Sequence, residues 1–154
     1  MTVGTEGFAS GPARVWRWIA LLLLVGAYLQ GGIDKAVDFP SALAEMRHFG
    51  LAPAAPLALA TIALELGASA LILTGWMRWL GAVLLATFTL AATFIANRFW
   101  AAPLPDRFML ENSFFEHLGL VGGFLLVAWH DWRQAQEQGS SDGTSYFSLR
   151  RSGK

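Results

Sequence analysis

Residues 54–75 read AAPLALATIALELGASALILTG, and Glu65, near the centre, is the only ionisable side chain in this stretch. A helix needs about 17–25 apolar residues to cross a bilayer, so these residues predict a transmembrane helix. An ionised acid at the centre of such a helix costs about 2.5–3.5 kcal/mol on insertion scales. Glu65 is therefore expected to have a partner or a function in the folded protein.

The whole chain has the composition of a membrane protein. Hydrophobic residues make up 55% of its 154 residues and charged ones 14%, against roughly 25% charged in soluble domains. A soluble fold would lack the polar residues to cover its surface, so we expect a protein embedded in a lipid bilayer. The formal net charge is zero, and the sequence has no basic block that would indicate a nucleic-acid partner. Cysteine is absent, which excludes disulfides, Cys-ligated iron–sulfur clusters and covalent c-type haem.

Four apolar spans are predicted, joined by short links. Such connections favour an all-α, antiparallel up-down four-helix bundle, with spans at residues 15–33, 54–75, 79–96 and 113–129. Between the first two spans, residues 39–50 alternate apolar and charged side chains, which predicts a short amphipathic helix at the membrane interface. Composition divides the chain into a flexible tail (1–13), a membrane domain (14–132) and a disordered tail (133–154).

The distribution of Lys and Arg predicts the orientation. Seven of these residues fall on the side of the two termini and four on the other side, which favours an orientation with both termini in the cytoplasm. Counting only the residues close to the spans gives four on each side, so this prediction depends on the distal C-terminal tail.

Polar residues are predicted to gather in the outer half of the membrane. Counting about 1.5 Å of rise per residue along antiparallel helices places seven of them there. We interpret Glu65 and His117 as proton-exchanging groups of a cavity, and as ligand-binding residues Gln30, Lys35, Asn97, Arg98 and Glu116. The alternative is structural: Glu65 forms a hydrogen bond to a neighbouring helix, and the other six residues mark helix ends.

A quinone would suit such a cavity, because its ring needs hydrogen-bond donors, its reduction needs protons and its tail needs apolar walls. Haem is disfavoured, since His117 and His130 lie on one helix about 20 Å apart in rise and cannot ligate one iron from opposite faces. No metal-ligand spacing is evident. The sequence therefore assigns no bound cofactor, and quinone is the candidate that would suit the cavity.

Glycines on the fourth span predict a packing face. Gly119 and Gly123 are four residues apart, and Gly122 extends the same face. Lipid gives helices no hydrophobic drive to associate, so small residues that allow close approach are typical of contacts between membrane helices. The face would serve packing within the chain or a homodimer.

Several motifs, in order, resemble those of DoxX-like membrane proteins. Residues 31–35 (GGIDK) close the first span, residues 65–67 (ELG) carry the acid, and residues 75–78 (GWMR) form a Gly-x-x-Arg turn. Residues 97–100 (NRFW) and 115–123 (FEHLGLVGG) resemble two further family segments. Asn97 stands where His is frequent in the family, and Glu116-His117 stand where Lys-Asn is frequent.

The resemblance implies a four-helix inner-membrane protein linked to redox systems. Family members include a thiosulfate:quinone oxidoreductase and an oxidoreductase complex that responds to oxidative stress. We therefore expect a subunit that acts as scaffold or partner of an oxidoreductase. The alternatives are a quinone-binding subunit that passes electrons or protons through the cavity, and a small proton-coupled carrier. Enzymatic activity stays open, because nothing in the chain holds a redox cofactor.

Overall fold

A computed structural model describes the chain from residue 10 to residue 152, and its side chains from residue 11 to residue 136. Within that range every regular element is a helix, which confirms the predicted all-α class. The elements are α1 (Ser10–Val37), α2 (Phe39–His48), α3 (Ala54–Thr74), α4 (Arg78–Ala96), a single 3₁₀ turn (Phe99–Ala101) and α5 (Leu104–Ser152).

Three of these segments are long and apolar enough to cross a membrane, judged by length and composition. They are Gly11–Val37, Ala54–Thr74 and Arg78–Ala101, and they support a multi-pass membrane protein. In the described part of the chain α5 does not meet the same threshold, because Glu116, His117 and three glycines lower the hydropathy of its apolar stretch. The four-span bundle stays a prediction.

The predicted amphipathic segment forms α2. Asp38 caps its N-terminus, because the Asp38 carboxylate accepts a hydrogen bond of 3.1 Å from the Ser41 backbone N–H. Ala42 and Met46, one turn apart, are buried and pack with Ala58 of α3. The helix therefore packs against the start of α3, with Arg47 and His48 exposed.

The structure describes the two predicted tails to different extents. Residues 1–9 lie outside the described residues, and α1 already begins at Ser10. At the other end α5 continues to Ser152, where composition predicted disorder from residue 133. Residues 133–138 (RQAQEQ) are good helix formers, which explains why the helix does not stop at the end of the apolar stretch. The domain boundaries stay a prediction.

One apolar core joins α1, α3, α4 and α5. In each helix its buried members recur every three or four residues, the spacing of one helical face. Val25, Ile72, Leu85 and Phe124 are completely buried, one from each helix. The most extensive helix pair is α4 with α5, and α3 packs against both α1 and α4. This arrangement leaves space at the end where α2 lies, which we call the α2 end.

The opposite end, where α3 turns into α4, is held by polar contacts and is called the turn end. Gly75 adopts a left-handed conformation, with φ of 83°, and ends α3. Arg78 folds back and donates from Nε to the Ile72 carbonyl at 2.9 Å. Arg78 also donates from Nη1 to Asp131 of α5 at 3.2 Å, and Arg17 of α1 lies 3.9 Å from the same carboxylate. Asp131 thus links three helices.

The predicted glycine face of α5 is only partly a packing face of this chain. A Cβ built at Gly123 would meet Leu24 of α1 at 3.1 Å, so Gly123 does lie in a close contact. Gly119 and Gly122 are exposed, and a Cβ built at either meets no described atom within 4 Å. Intramolecular packing therefore does not account for these two glycines, because they lie on the outer side of α5.

Candidate functional site

A cavity of about 570 Å³ lies at the α2 end and is open to one side. All five helices contribute to its wall. Many of its lining residues are small, among them Ala27, Gly31, Ala60, Ala92 and Ala96. Because α1, α3 and α4 present alanine and glycine here, they leave space between them, and the cavity follows from the positions of these small residues in the sequence. Met46 and Phe49 line it from the α2 side.

Glu65 lies in the cavity wall and is paired with Lys35. Both carboxylate oxygens of Glu65 are 3.5 Å from Lys35 Nζ. The side chains are 7% and 16% exposed, so this ion pair is largely removed from solvent. Lys35 Nζ is also 3.8 Å from a carboxylate oxygen of Glu45 on α2. The acid that is isolated in the sequence therefore has a cation beside it, and that cation is shared with a second carboxylate.

Gly31 makes room for this pair. A Cβ at Gly31 would lie 3.4 Å from Lys35 Nζ and 3.6 Å from Glu65 Oε2. One turn separates Gly31 from Lys35 on α1, so the glycine leaves the ammonium free to lie against the helix surface. The predicted GGIDK motif therefore has a structural role, which is to bring α1 and its lysine close to α3.

A polar vestibule of about 480 Å³ lies on the other side of Lys35. It shares Gly31, Lys35 and Glu45 with the cavity and is otherwise lined mainly by polar residues of α1 and α2. Asp34, Asp38 and Ser41 are among them. Lys35 therefore stands at the boundary between an apolar cavity and an acidic vestibule.

Tyr28 is a site residue that the sequence analysis missed. It is buried, lines the cavity, and its hydroxyl is hydrogen-bonded to Thr89 of α4. Thr89 in turn donates to the Leu85 carbonyl at 2.6 Å. The periodicity of α1 contains the signal, because Tyr28, Gly31 and Lys35 follow the spacing of one helical face.

His117 lines the cavity from α5 and is oriented by Asn97. The Asn97 side-chain amide nitrogen lies 2.7 Å from His117 Nδ1. Asn97 is buried and ends α4, so this contact joins the end of α4 to α5. Phe114 packs beside this contact, edge to face with Phe94 and Phe99. The structure therefore brings together two of the predicted site residues that are distant in sequence.

Four predicted site residues do not line the cavity, and one of them, Asn97, contacts the lining residue His117. Gln30 is exposed and donates to Asp34 at 2.8 Å on the outer surface of α1. Arg98 and Glu116 are also exposed, and neither lines the cavity. The site that the structure assembles consists of Tyr28, Lys35, Glu45, Glu65 and His117.

These features define a class of protein: a multi-pass α-helical membrane protein with a largely apolar cavity and an ion pair in its wall. The family model described as DoxX matches residues 18–98, and the chain belongs to this family. The match covers most of α1 and all of α2, α3 and α4. It ends before α5, so the resemblance of residues 115–123 lies outside it. No curated protein and no solved structure matches the chain significantly.

Proposed function

We propose that the protein is an inner-membrane subunit of a redox system that binds an amphiphilic molecule of the quinone type in its cavity. The observation that carries the proposal is the pairing of apolar walls with a compact set of polar groups at one place. Ligand sites in proteins have this character: a mostly hydrophobic pocket of about 300–1,000 Å³ with a few polar groups that fix the ligand's orientation.

The Lys and Arg residues of the C-terminal tail support the topology of this proposal. Near the spans the two ends are balanced, with Arg14, Arg17, Arg78 and Arg133 at the turn end and Lys35, Arg47, Arg98 and Arg107 at the α2 end. The tail adds Arg150, Arg151 and Lys154 on the side of the turn end if α5 is the fourth span, and the positive-inside rule then favours the turn end in the cytoplasm. With α5 as the fourth span, both termini would lie on that side and the cavity would face the outer leaflet.

The first test is chemical extraction. The protein is purified in mild detergent, and the bound lipids are extracted with organic solvent and analysed for quinones by mass spectrometry. We expect a quinone at a substantial fraction of the protein concentration. An extract without quinone, together with no spectral response to added quinol, would count against the proposal.

A variant that fills the cavity tests whether the quinone binds there. Ala92→Phe is expected to reduce the extracted quinone at least about fivefold, because the added ring occupies space that the ligand needs. Leu90→Phe adds a ring to the same helix at a position that is 40% exposed and outside the cavity lining, and it should leave the quinone content unchanged. Equal quinone content in the two variants would place the ligand elsewhere.

A second candidate function, a scaffold for an oxidoreductase subunit, has its own support. The outer face of α5 carries exposed residues at alternating intervals of four and three, the repeat of a helix–helix seam. This α5 seam consists of Phe108, Asn112, Phe115, Gly119, Gly122, Leu126 and Trp129. Its two glycines would let a partner helix approach closely.

The scaffold proposal predicts that Gly122→Leu removes the partner. The Cβ of a leucine there meets no described atom within 4 Å, so the fold should be unaffected while the seam is blocked. Gly67→Leu on α3, also exposed and free of contacts, is the matched control. Cross-linking followed by mass spectrometry should recover an oxidoreductase subunit with the wild type and the control only. Recovery of a dimer of this chain alone would identify a second copy as the occupant.

A further inference from the structure

We infer that the cavity selects ligands whose polar head is a hydroxyl group, one that both donates and accepts a hydrogen bond. This inference rests on the proposed function and specifies the chemistry of its ligand. It follows from assigning each donor and acceptor in the cavity wall, because a bound head must supply what the wall lacks.

The wall around Lys35 has acceptors to spare. Lys35 has three N–H donors, and its Nζ lies 3.5 Å from both oxygens of Glu65 and 3.8 Å from an oxygen of Glu45, the latter an ion-pair distance. One ammonium therefore serves two carboxylates. A carboxylate has about four acceptor positions, and in the described structure Lys35 is the only side chain that donates to Glu65. Glu65 can accept further hydrogen bonds, and a ligand with a donor would supply one.

Tyr28 also faces the ligand as an acceptor. Thr89 has a single hydroxyl hydrogen, and it is donated to the Leu85 carbonyl. The hydrogen between Tyr28 and Thr89 must therefore come from Tyr28, whose hydroxyl then has no hydrogen left. The Tyr28 oxygen can therefore only accept a hydrogen bond from a ligand, through its lone pairs. Tyr28 and Glu65 together give the α1 and α3 walls of the cavity an accepting character.

The α5 wall has the opposite character. The side-chain nitrogen of Asn97 is a donor, so His117 Nδ1 accepts. A neutral imidazole carries one hydrogen, which is then on Nε2. His117 therefore donates from the α5 wall, while Thr61 of α3 adds a hydroxyl that can act in either sense. A ligand head matches both walls when it donates toward Glu65 or Tyr28 and accepts from His117.

A hydroxyl on an apolar body meets both requirements. An ether, ester or quinone carbonyl only accepts, so it leaves the Glu65 side without a donor. An ammonium only donates, so it leaves His117 without an acceptor. Within the quinone class this favours the reduced form, the quinol, over the oxidised form.

The test uses two ligands with the same ring and alkyl chain. Decylhydroquinone carries two hydroxyls, whereas its dimethyl ether carries none, and each is titrated calorimetrically into the full-length protein in detergent. The cavity-filled variant Ala92→Phe serves as the blank for partition into micelles. We expect decylhydroquinone to bind at least about tenfold more tightly, as for one hydrogen bond to a charged acceptor. The quinone itself should bind with an affinity close to that of the ether.

Two variants test whether Glu65 and Tyr28 of the cavity wall produce the preference for a hydroxyl. Glu65→Gln adds an N–H donor to the accepting wall, and Tyr28→Phe removes an acceptor; each should lower the hydroquinone-to-ether preference at least about threefold. Gln30→Leu, outside the cavity, should retain it. Equal binding of the two ligands by the wild type would overturn this inference and leave the proposed ligand cavity standing. Binding of neither above the Ala92→Phe blank would overturn both.

Discussion

Lys35→Met is expected to destabilise the protein by about 3–5 kcal/mol, the usual cost of removing one partner of a buried ion pair. Glu65 is 7% exposed at its side chain, and in the described structure Lys35 is the only cation that contacts it. Methionine keeps the length of the side chain and removes its charge. The carboxylate would then remain in an apolar wall without a counter-ion. Thermal unfolding in detergent measures the loss as a lower midpoint.

Glu65→Gln separates the charge effect from packing. In that variant Lys35 still has Glu45, which is 3.8 Å away and 44% exposed, so the remaining charge is not isolated. We therefore expect a smaller loss than for Lys35→Met. The double variant Lys35→Met/Glu65→Gln should recover most of the stability, because it leaves no unpaired charge in the cavity wall. A Lys35→Met protein as stable as the wild type would show that the pair contributes nothing to the fold.

The pairing of Glu65 with Lys35 shows what the sequence predicts well. The two residues are thirty positions apart, yet both were assigned to the same half of the membrane. That assignment needs only the rise along a helix and the alternation of antiparallel spans. The depth of a residue in the membrane depends only on its position along its helix, and the ends of the apolar runs define that position. The cavity lies at the α2 end of the helices, the end that carries Lys35.

The direction in which a side chain points around its helix was predicted less well. Glu116 and His117 were both assigned to the site, but consecutive residues point about 100° apart around a helix. His117 lines the cavity and Glu116 is exposed. Gln30 and Arg98 are exposed as well and lie outside the cavity lining. Which face of a helix is turned inward depends on how its neighbours pack, and a single sequence does not specify that.

Tyr28 illustrates a different difficulty. In the sequence, Tyr28 is one more aromatic residue inside an apolar span. Only its contact with Thr89 of α4, sixty-one residues away, makes it part of the site. The three-residue interval to Gly31 indicates a shared face but names no partner. Similarly, the glycine motif of α5 predicted a packing face, and the structure assigns only Gly123 to a contact within the chain. Small residues indicate that another helix can approach closely, but they do not indicate which helix it is.

Gly81→Ala is expected to be the most damaging single methyl addition in the described helices. A Cβ at Gly81 would lie 2.7 Å from the backbone oxygen of Ala68 and 3.0 Å from the Leu71 Cβ, both on α3. Neither atom belongs to a rotatable side-chain end, so α3 and α4 would have to separate along their contact. Overpacking of a core costs about 1–3 kcal/mol and occasionally more, and we expect a loss of about 3 kcal/mol here.

Two other glycines provide the matched series for Gly81→Ala. Gly67→Ala, at an exposed position of α3 where a Cβ meets nothing within 4 Å, should be neutral or raise stability by up to about 1 kcal/mol, since alanine is the better helix former. Gly32→Ala places its Cβ 2.8 Å from the end of the Leu66 side chain, which can rotate away, so its loss should lie between the other two. Unfolding midpoints in detergent should therefore rank Gly67→Ala above Gly32→Ala and Gly32→Ala above Gly81→Ala. A Gly81→Ala midpoint equal to that of Gly67→Ala would contradict the close packing of α3 against α4.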